Sequence, residues 1–444
     1  MPMRPVCIPP EGEMRLQAST APRAGSPHAR PEDRMTHGGD TARTSDPAPA
    51  PGAQLRVLET PEEPGAERRT SRVGDHLREW RSVYLAFAIS RLLVAGVGWG
   101  VELALRITGA DPANWRPFAF AETYPHYADV ALHGYTLENA VNFPLMPGLM
   151  AGGAAIGIPM WLTAFLATNL AFLVGLVGMA MLGERFVGGD AARRGALYLA
   201  LAPFAYWFSV TSTEGLLLGL VAGSALLALR GTPASWLGAG VLAAVAALSR
   251  PPGAFLGIVL LGILVAQLRS GSIARRSVAA ALAAGAMIPA AVIGFMAFLD
   301  AKTGDPLAFM HAQDEFNRHV TADGPIRAIG SALELTVVQH SIGQAIELVA
   351  TFGAAALLVW FGATAAGRRW EVRGWTLFGA ASLLLPLATG VLWQMPRFAL
   401  LIPPVFWMLG ALGSRHVWLH RTVLVLFPVA LMVKVATAVV GVHG

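Results

Sequence analysis

Residues 277–299 read SVAAALAAGAMIPAAVIGFMAFL, a stretch without a charged side chain. A helix needs about 20 apolar residues to cross the hydrocarbon core of a bilayer, which is about 30 Å thick. Only α-helices and closed barrels satisfy all their backbone groups within that core, and barrel strands are alternating segments of about ten residues. This stretch therefore predicts a membrane-spanning α-helix.

Similar apolar runs recur along the chain from about residue 84. Of all residues, 54% are hydrophobic and 14% are charged, whereas soluble domains carry about 25% charged residues. We predict an all-α polytopic membrane protein with about 10–12 transmembrane helices. The stretch 145–183 holds either one long span or two short spans broken near Pro159. The other predicted spans are, roughly, 84–105, 195–212, 214–229, 235–250, 253–268, 277–299, 345–366, 375–393, 397–413 and 418–441.

Residues 1–75 are rich in Pro, Ala, Gly, Arg and Glu and have no apolar period, which predicts a disordered tail. Arginines just before the first span place that tail in the cytoplasm, and residues 76–444 form the membrane domain. Basic clusters between later spans mark the cytoplasmic face again. Counting spans from those clusters puts two long polar loops, 106–143 and 300–343, together on the outer face, if 145–183 crosses once. If it crosses twice, 195–212 must be a re-entrant segment.

The net charge of +5 does not indicate a nucleic-acid partner, because the arginines lie in short clusters that orient spans in the bilayer. The single Cys7 excludes a disulfide within the chain and a cysteine metal site. Lysine is nearly absent while Ala, Gly and Arg abound, a bias that we attribute to a GC-rich bacterial genome.

The first outer loop concentrates polar side chains. It contains two carboxylates, Glu122 and Asp129, together with His126, Tyr127 and His133. One interpretation is an amphipathic helix on the membrane surface, with its tyrosines at the headgroups. The other is a functional site, and the loop alone does not decide between them.

A family resemblance enters at this loop. The pattern His126-Tyr127-x-x-Val-Ala-x-x-Gly134-Tyr135, followed by Phe143-Pro144-Leu-x-Pro147, resembles the first outer loop of the GPI mannosyltransferase II (PIG-V-like) family of the glycosyltransferase C superfamily. Further matches follow in the family's order and cover roughly residues 80–415. They are Ser212-Thr213-Glu214, Ser249-Arg250 with Gly253, Thr303-Gly304-Asp305-Pro306 ahead of His311 and Gln313, and Met395-Pro396-Arg397-Phe398.

The resemblance implies a glycosyltransferase C-like helix bundle with long outer-face loops. It implies an enzyme that moves a hexose, most simply mannose, from a polyprenyl-phosphate sugar by a single inverting displacement. In the plasma membrane of a bacterium, the acceptor would be an outer-face glycolipid or glycan of the cell envelope. We expect no cofactor and no metal, since neither loop contains Asp-x-Asp and a lipid-phosphate donor needs no divalent ion in principle.

One departure bears directly on catalysis. The family carries an Asp three residues before the position of His126, and this chain has Thr123 there. The resemblance gives that Asp the role of the base, or its organiser, for the acceptor hydroxyl, and a threonine hydroxyl cannot take up a proton at neutral pH. Either Glu122 or Asp129 serves instead, or the site is inactive.

The resemblance also suggests substrate-binding residues. Arg250 and Arg397 fall at outer span ends, against the positive-inside bias, and arginine suits the phosphate of a lipid-linked donor. Glu214 either orders sugar hydroxyls or is a carboxylate favoured at a helix N-terminus. His126, Tyr127, His311 and Gln313 complete the set.

Two other classes of function remain open. A catalytically inactive relative could keep the fold and bind lipid-linked sugar, and Thr123 is its best support. A polytopic transporter or flippase is disfavoured, because such folds tend to show internal repeats and substrate residues at mid-membrane. This sequence shows no convincing repeat, and its polar residues gather at one face.

Overall fold

The computed structural model describes residues 79–109, 123–314, 318, 320–364 and 369–440. Within these ranges all regular structure is helical and no strand is present. The all-α prediction is therefore confirmed. The predicted tail, residues 1–75, and the candidate base Glu122 lie outside the described residues.

The helices are numbered in chain order. They are α1 (Arg81–Thr108), α2 (Tyr124–His133), α3 (Leu145–Ala155), α4 (Met160–Val187), α5 (Gly189–Leu201), α6 (Glu214–Leu229), α7 (Pro233–Ala247), α8 (Leu256–Ser270), α9 (Arg275–Thr303), α10 (Ala308–His311), α11 (Gly324–Val337), α12 (Ile342–Ala363), α13 (Trp370–Leu387), α14 (Met395–Ala399), α15 (Pro403–Arg415) and α16 (Val417–Val440). Short 3-10 turns lie at Asn139–Val141, Ala205–Phe208 and Pro251–Phe255.

Among the described helices, six are long and apolar enough to cross a membrane by length and composition. They are α1, α4, α8 with its preceding 3-10 turn, α9, α12 and α16. The apolar helices α3, α6 and α7 are shorter. With 11 residues, α3 rises only about 16 Å, whereas the 28-residue α4 exceeds the hydrocarbon thickness. The stretch 145–183 thus favours a single crossing by α4.

Two of the predicted spans were wrong, because the structure breaks each of them instead of continuing it as one helix. The span predicted at 195–212 ends as an α-helix at Leu201, because Pro203 has no N–H to continue the ladder. The span predicted at 397–413 breaks after Ala399, and α15 restarts at Pro403, where a missing N–H costs nothing. The first break carries the motif residues Ser212 and Thr213 on irregular backbone, and the second directly follows the short helix α14, which carries Arg397.

Polar contacts between helices mark one end of the helix bundle. At one end Arg185 of α4 pairs with Glu371 of α13 at 3.2 Å. At the same end Ser414 of α15 donates to Asp190 of α5 at 2.9 Å. We call this the basic end, because it also carries Arg269, Arg373 and Arg415. The opposite end, where α6 begins, is called the site end.

Glycines bring α4 and α6 into close contact at the site end. A Cβ on Gly215 would lie 2.4 Å from the carbonyl oxygen of Thr168, and one on Gly219 would lie 2.7 Å from that of Ala171. Small residues at one-turn spacing allow membrane helices to pack backbone to backbone. The start of α6, and therefore Glu214, is held against α4.

Replacing Gly215 by Ala should lower the free energy of unfolding by about 1–3 kcal/mol, because the added methyl group overlaps a backbone oxygen that cannot move freely. Thermal unfolding of the purified protein in detergent measures the change. Gly285 of α9 is the matched control, since its Cβ would meet nothing within 4 Å. Gly285→Ala should be neutral or stabilising, and equal melting temperatures for both variants would contradict the tight crossing.

Candidate active site

The irregular backbone between α5 and α6 is held by side chains from other segments. Thr168 and Asn169 of α4 donate to the carbonyl oxygens of Ser212 and Ser209, at 2.9 and 3.3 Å. Arg91 of α1 donates to the carbonyl oxygen of Ala205 at 3.2 Å and to the Ser209 hydroxyl. Backbone groups away from water need such partners, and these bonds fix the segment that leads to Glu214.

Thr123 joins the first polar loop to this segment. Its hydroxyl donates to the carbonyl oxygen of Thr211. The position at which the PIG-V-like pattern carries its Asp is therefore in direct contact with the segment that ends at Glu214.

Glu214 is the centre of the site. It is the first residue of α6 and is fully buried. Its Oε1 accepts from Nη1 of Arg250 and from Nε of Arg397. A carboxylate is favoured at a helix N-terminus, but a buried one also needs cationic partners. Two guanidinium groups on one carboxylate leave one excess positive charge.

Arg397 is held on every side. It lies in α14, and its Nη1 donates to the side-chain oxygen of Gln394 at 2.9 Å. Its guanidinium carbon lies 3.5 Å from the centre of the Trp207 ring, within cation–π range. Only 8% of Arg397 is exposed. We infer that Arg397 chiefly fixes Glu214 and the start of α6.

Glu347 of α12 sets the position of α14. Its two carboxylate oxygens accept the backbone N–H groups of Gln394 and Met395, at 2.9 and 2.7 Å. Helix starts leave such groups without partners, and Gln394 adopts the left-handed conformation at φ 58°. Glu347 belongs to no motif, so sequence reasoning missed it. Its signal was a lone carboxylate within an apolar run, which is costly in a membrane.

Glu347→Gln should lower the free energy of unfolding by about 1–3 kcal/mol, because the amide nitrogen cannot accept one of the two backbone N–H bonds. Glu334→Gln on the exposed surface of α11 is the control and should leave the melting temperature unchanged. Thermal unfolding in detergent compares the two. Equal melting temperatures would show that Glu347 does not hold α14.

Arg250 is the more accessible arginine of the site. Its side chain is 13% exposed, against 10% for the side chain of Arg397, and its guanidinium lies 5.3 Å from the centre of the Phe398 ring. One of its nitrogens, Nη1, donates to Glu214, and its other N–H groups have no acceptor among the described residues. Arg250 therefore has donors available for an anion.

A third arginine approaches from the second polar loop. Burial lowers the pKa of the Arg318 guanidinium, and the positive charge of Arg397 lowers it further. The Arg318 side chain contacts Gln313 at 3.4 Å and lies 5.6 Å from the centre of the Trp393 ring. Cationic side chains gathered at a partly buried site favour a negatively charged ligand.

The remaining candidates on α2 differ in burial. Tyr127 is buried against Met146 and Leu216, next to the start of α6, whereas His126 is exposed. Asp129 is exposed and accepts from Asn139 at 2.9 Å and contacts His133 at 2.8 Å. These bonds, that of Asn139 first, lower the pKa of the Asp129 carboxyl. Both of these partners lie on its own loop.

In the second loop, His311 is exposed and pairs with Asp305 at 2.6 Å. That hydrogen bond lowers the pKa of the Asp305 carboxyl. Gln313 reaches the arginines through its contact with Arg318. The structure thus brings Glu214, Arg250 and Arg397 together, and it places His126, Asp129 and His311 on exposed loop surfaces.

Three buried polar atoms at Glu214 and in the segment just before it have no hydrogen-bond partner among the residues that the structure describes. They are Oε2 of Glu214 and the hydroxyl oxygens of Thr211 and Thr213. Buried polar atoms are nearly always bonded, so these three atoms suit contact with water or with the hydroxyl groups of a ligand. Within the described ranges, no three His, Cys, Asp or Glu side chains are grouped as a metal site requires.

Comparisons with known proteins find similar structures but no similar sequence. No family model and no curated protein matches the sequence. ArnT from Cupriavidus metallidurans, solved bound to undecaprenyl phosphate, is similar with a TM-score of 0.46 and 15% identity, covering 75% of this chain and 60% of that one. The archaeal oligosaccharyltransferase AglB from Archaeoglobus fulgidus, in complex with an inhibitory peptide and a dolichol-phosphate, is similar with a TM-score of 0.46 and 12% identity. That match covers 83% of this chain and 56% of AglB, so the chain spans less than two thirds of either structure.

Proposed function

We propose that this chain is a membrane glycosyltransferase that takes a hexose, most simply mannose, from a polyprenyl-phosphate donor. The observation that carries the proposal is the arginine pair on the buried Glu214, with Arg250 left partly accessible. The acceptor is a glycolipid or glycan on the outer face of a bacterial plasma membrane. The ordered motif matches to the PIG-V-like family support the choice of donor.

The chemistry needs an anion site next to a sugar site. The acceptor hydroxyl oxygen attacks the sugar C1, the bond from C1 to the phosphate oxygen breaks, and polyprenyl phosphate leaves with one more negative charge. Arg250 donates hydrogen bonds to that phosphate, a charge-assisted contact that strengthens as the charge grows. Glu214 and Arg397 hold Arg250 in place. The unpartnered oxygens of Thr211 and Thr213 face the sugar hydroxyls.

The second candidate is an inactive relative that binds lipid-linked sugar. One observation favours it: the Thr123 hydroxyl is occupied by the Thr211 carbonyl and could not act as a base in any case. An active enzyme therefore needs a carboxylate elsewhere as the general base, and we assign that role to Glu122.

A transfer assay with radiolabelled polyprenyl-phosphate mannose tests the proposal. It compares membranes with wild-type protein, with Arg250→Gln, with Arg327→Gln and without the protein. Loss of a hydrogen bond from a charged donor costs about 2–3 kcal/mol, so Arg250→Gln should lower transfer roughly 30- to 150-fold. Arg327 is the matched control, because it is an exposed arginine near Asp323 of the site end.

Transfer that needs the protein and falls only in Arg250→Gln would support the enzyme. Equal transfer by both arginine variants would contradict the anion site. Donor binding by the wild type without transfer, in membranes that supply acceptor lipids, would favour the inactive relative.

A further inference from the structure

A groove between α8 and α13 lies apart from the candidate active site, toward the basic end. It encloses about 480 Å³. Its lining is mostly apolar and includes Ile258, Leu261, Gly262 and Val265 of α8, with Gly374 and Leu377 of α13. The four α8 positions are spaced at one-turn intervals and form one stripe of the helix.

The groove is open on its lipid side. Leu261 is 59% exposed and Leu377 is 57% exposed, and these two side chains form its lips. Its floor is the crossing of Gly262 and Gly374, since a Cβ on Gly262 would lie 3.0 Å from the Cα of Gly374. Large residues at these positions would fill the space. An apolar groove that opens toward lipid accommodates an acyl chain.

Two arginines flank the basic end of the groove. Arg269 continues the α8 stripe one turn beyond Val265, and Arg373 lies among the lining residues. Their guanidinium groups lie 4.8 and 4.5 Å from the centre of the Trp370 ring. Arg269, Arg373 and Trp370 thus form one cluster at the basic end of the groove.

This cluster carries uncompensated positive charge. Neither Arg269 nor Arg373 has a carboxylate partner among the described residues, and the adjacent Glu371 is engaged by Arg185 of α4. Both arginines are exposed. Basic pockets between transmembrane helices bind the headgroups of anionic lipids.

We propose that this groove is a binding site for one anionic phospholipid. The phosphate lies between Arg269 and Arg373, and an acyl chain lies along the α8 stripe over Gly262 and Gly374. The site is separate from the arginine pair on Glu214 and does not depend on the proposed transfer reaction. Its ligand is a membrane lipid that stays bound to the folded protein.

Native mass spectrometry of the full chain, purified and delipidated in detergent, tests this site. The protein is offered equal amounts of phosphatidylglycerol and phosphatidylcholine with the same acyl chains. We expect wild type to retain phosphatidylglycerol in preference, and Arg269→Gln with Arg373→Gln to reduce that preference at least about tenfold. Arg275→Gln with Arg276→Gln removes the same charge from the start of α9, outside the groove, and should leave the preference unchanged.

Two further arms keep the result decisive if the double Gln variant folds poorly. Replacing both arginines by Lys keeps the charge and should keep the preference. Val265→Trp fills the groove and should reduce retention of both lipids. An unchanged preference in the Gln variant, an equal loss in the α9 control, or displacement of the lipid by inorganic phosphate alone would each overturn the proposal.

Discussion

Glu214→Gln should lower the free energy of unfolding by about 3–5 kcal/mol, because it leaves the guanidinium groups of Arg250 and Arg397 together without a carboxylate. Glu214 is fully buried, so water cannot take the place of its carboxylate beside the two guanidinium groups. Thermal unfolding of the purified protein in detergent measures the loss. Glu138→Gln, in the exposed first loop, is the control and should not change the melting temperature.

A double-mutant cycle separates this charge imbalance from simple loss of a hydrogen bond. Arg250→Gln alone leaves one carboxylate facing one guanidinium, so its cost to stability should be small. Adding Arg250→Gln to Glu214→Gln removes the repulsion, so the double variant should be more stable than Glu214→Gln alone. Costs that simply add would contradict a carboxylate shared by two arginines.

Glu122→Gln should lower sugar transfer by about 10²- to 10⁴-fold, the usual contribution of a positioned general base. The amide cannot take the proton of the acceptor hydroxyl, whereas its size and shape are almost the same. Donor binding should be unchanged, because the phosphate is held by the arginines. Initial rates and donor binding are measured on the same preparations.

Asp129→Asn is the matched comparison for that base. Asp129 is exposed and engaged by Asn139 and His133, and these bonds lower the pKa of its carboxyl, which makes it a weaker base. We expect Asp129→Asn to keep transfer within a few-fold of wild type. A large loss in Asp129→Asn with normal transfer in Glu122→Gln would exchange the two roles.

The all-α membrane fold was predictable, because the length and the lack of charge of apolar runs such as 277–299 have only one structural solution. The two broken spans were not predicted. Pro203 and Pro403 are visible in the sequence. Hydrophobicity does not indicate, however, that the carbonyl oxygens of an irregular segment can accept hydrogen bonds from Arg91, Asn169 and Thr168 of other helices.

The site was predictable only in part. Motif order singled out Glu214, Arg250 and Arg397, yet nothing in the sequence indicated that one oxygen of Glu214 accepts from both arginines. Glu347 was missed because its role is a backbone contact with Gln394 and Met395, and such contacts leave no motif. Long-range pairings of this kind require the fold.

A cryo-electron microscopy structure of the full chain in lipid nanodiscs with added polyprenyl phosphate would test the central proposal most directly. We expect the phosphate within hydrogen-bond distance of Arg250, at the site end of the bundle, with Arg397 still bonded to Glu214. A phosphate bound elsewhere, with the arginine pair on Glu214 left without ligand, would contradict the proposed anion site and with it the glycosyltransferase assignment.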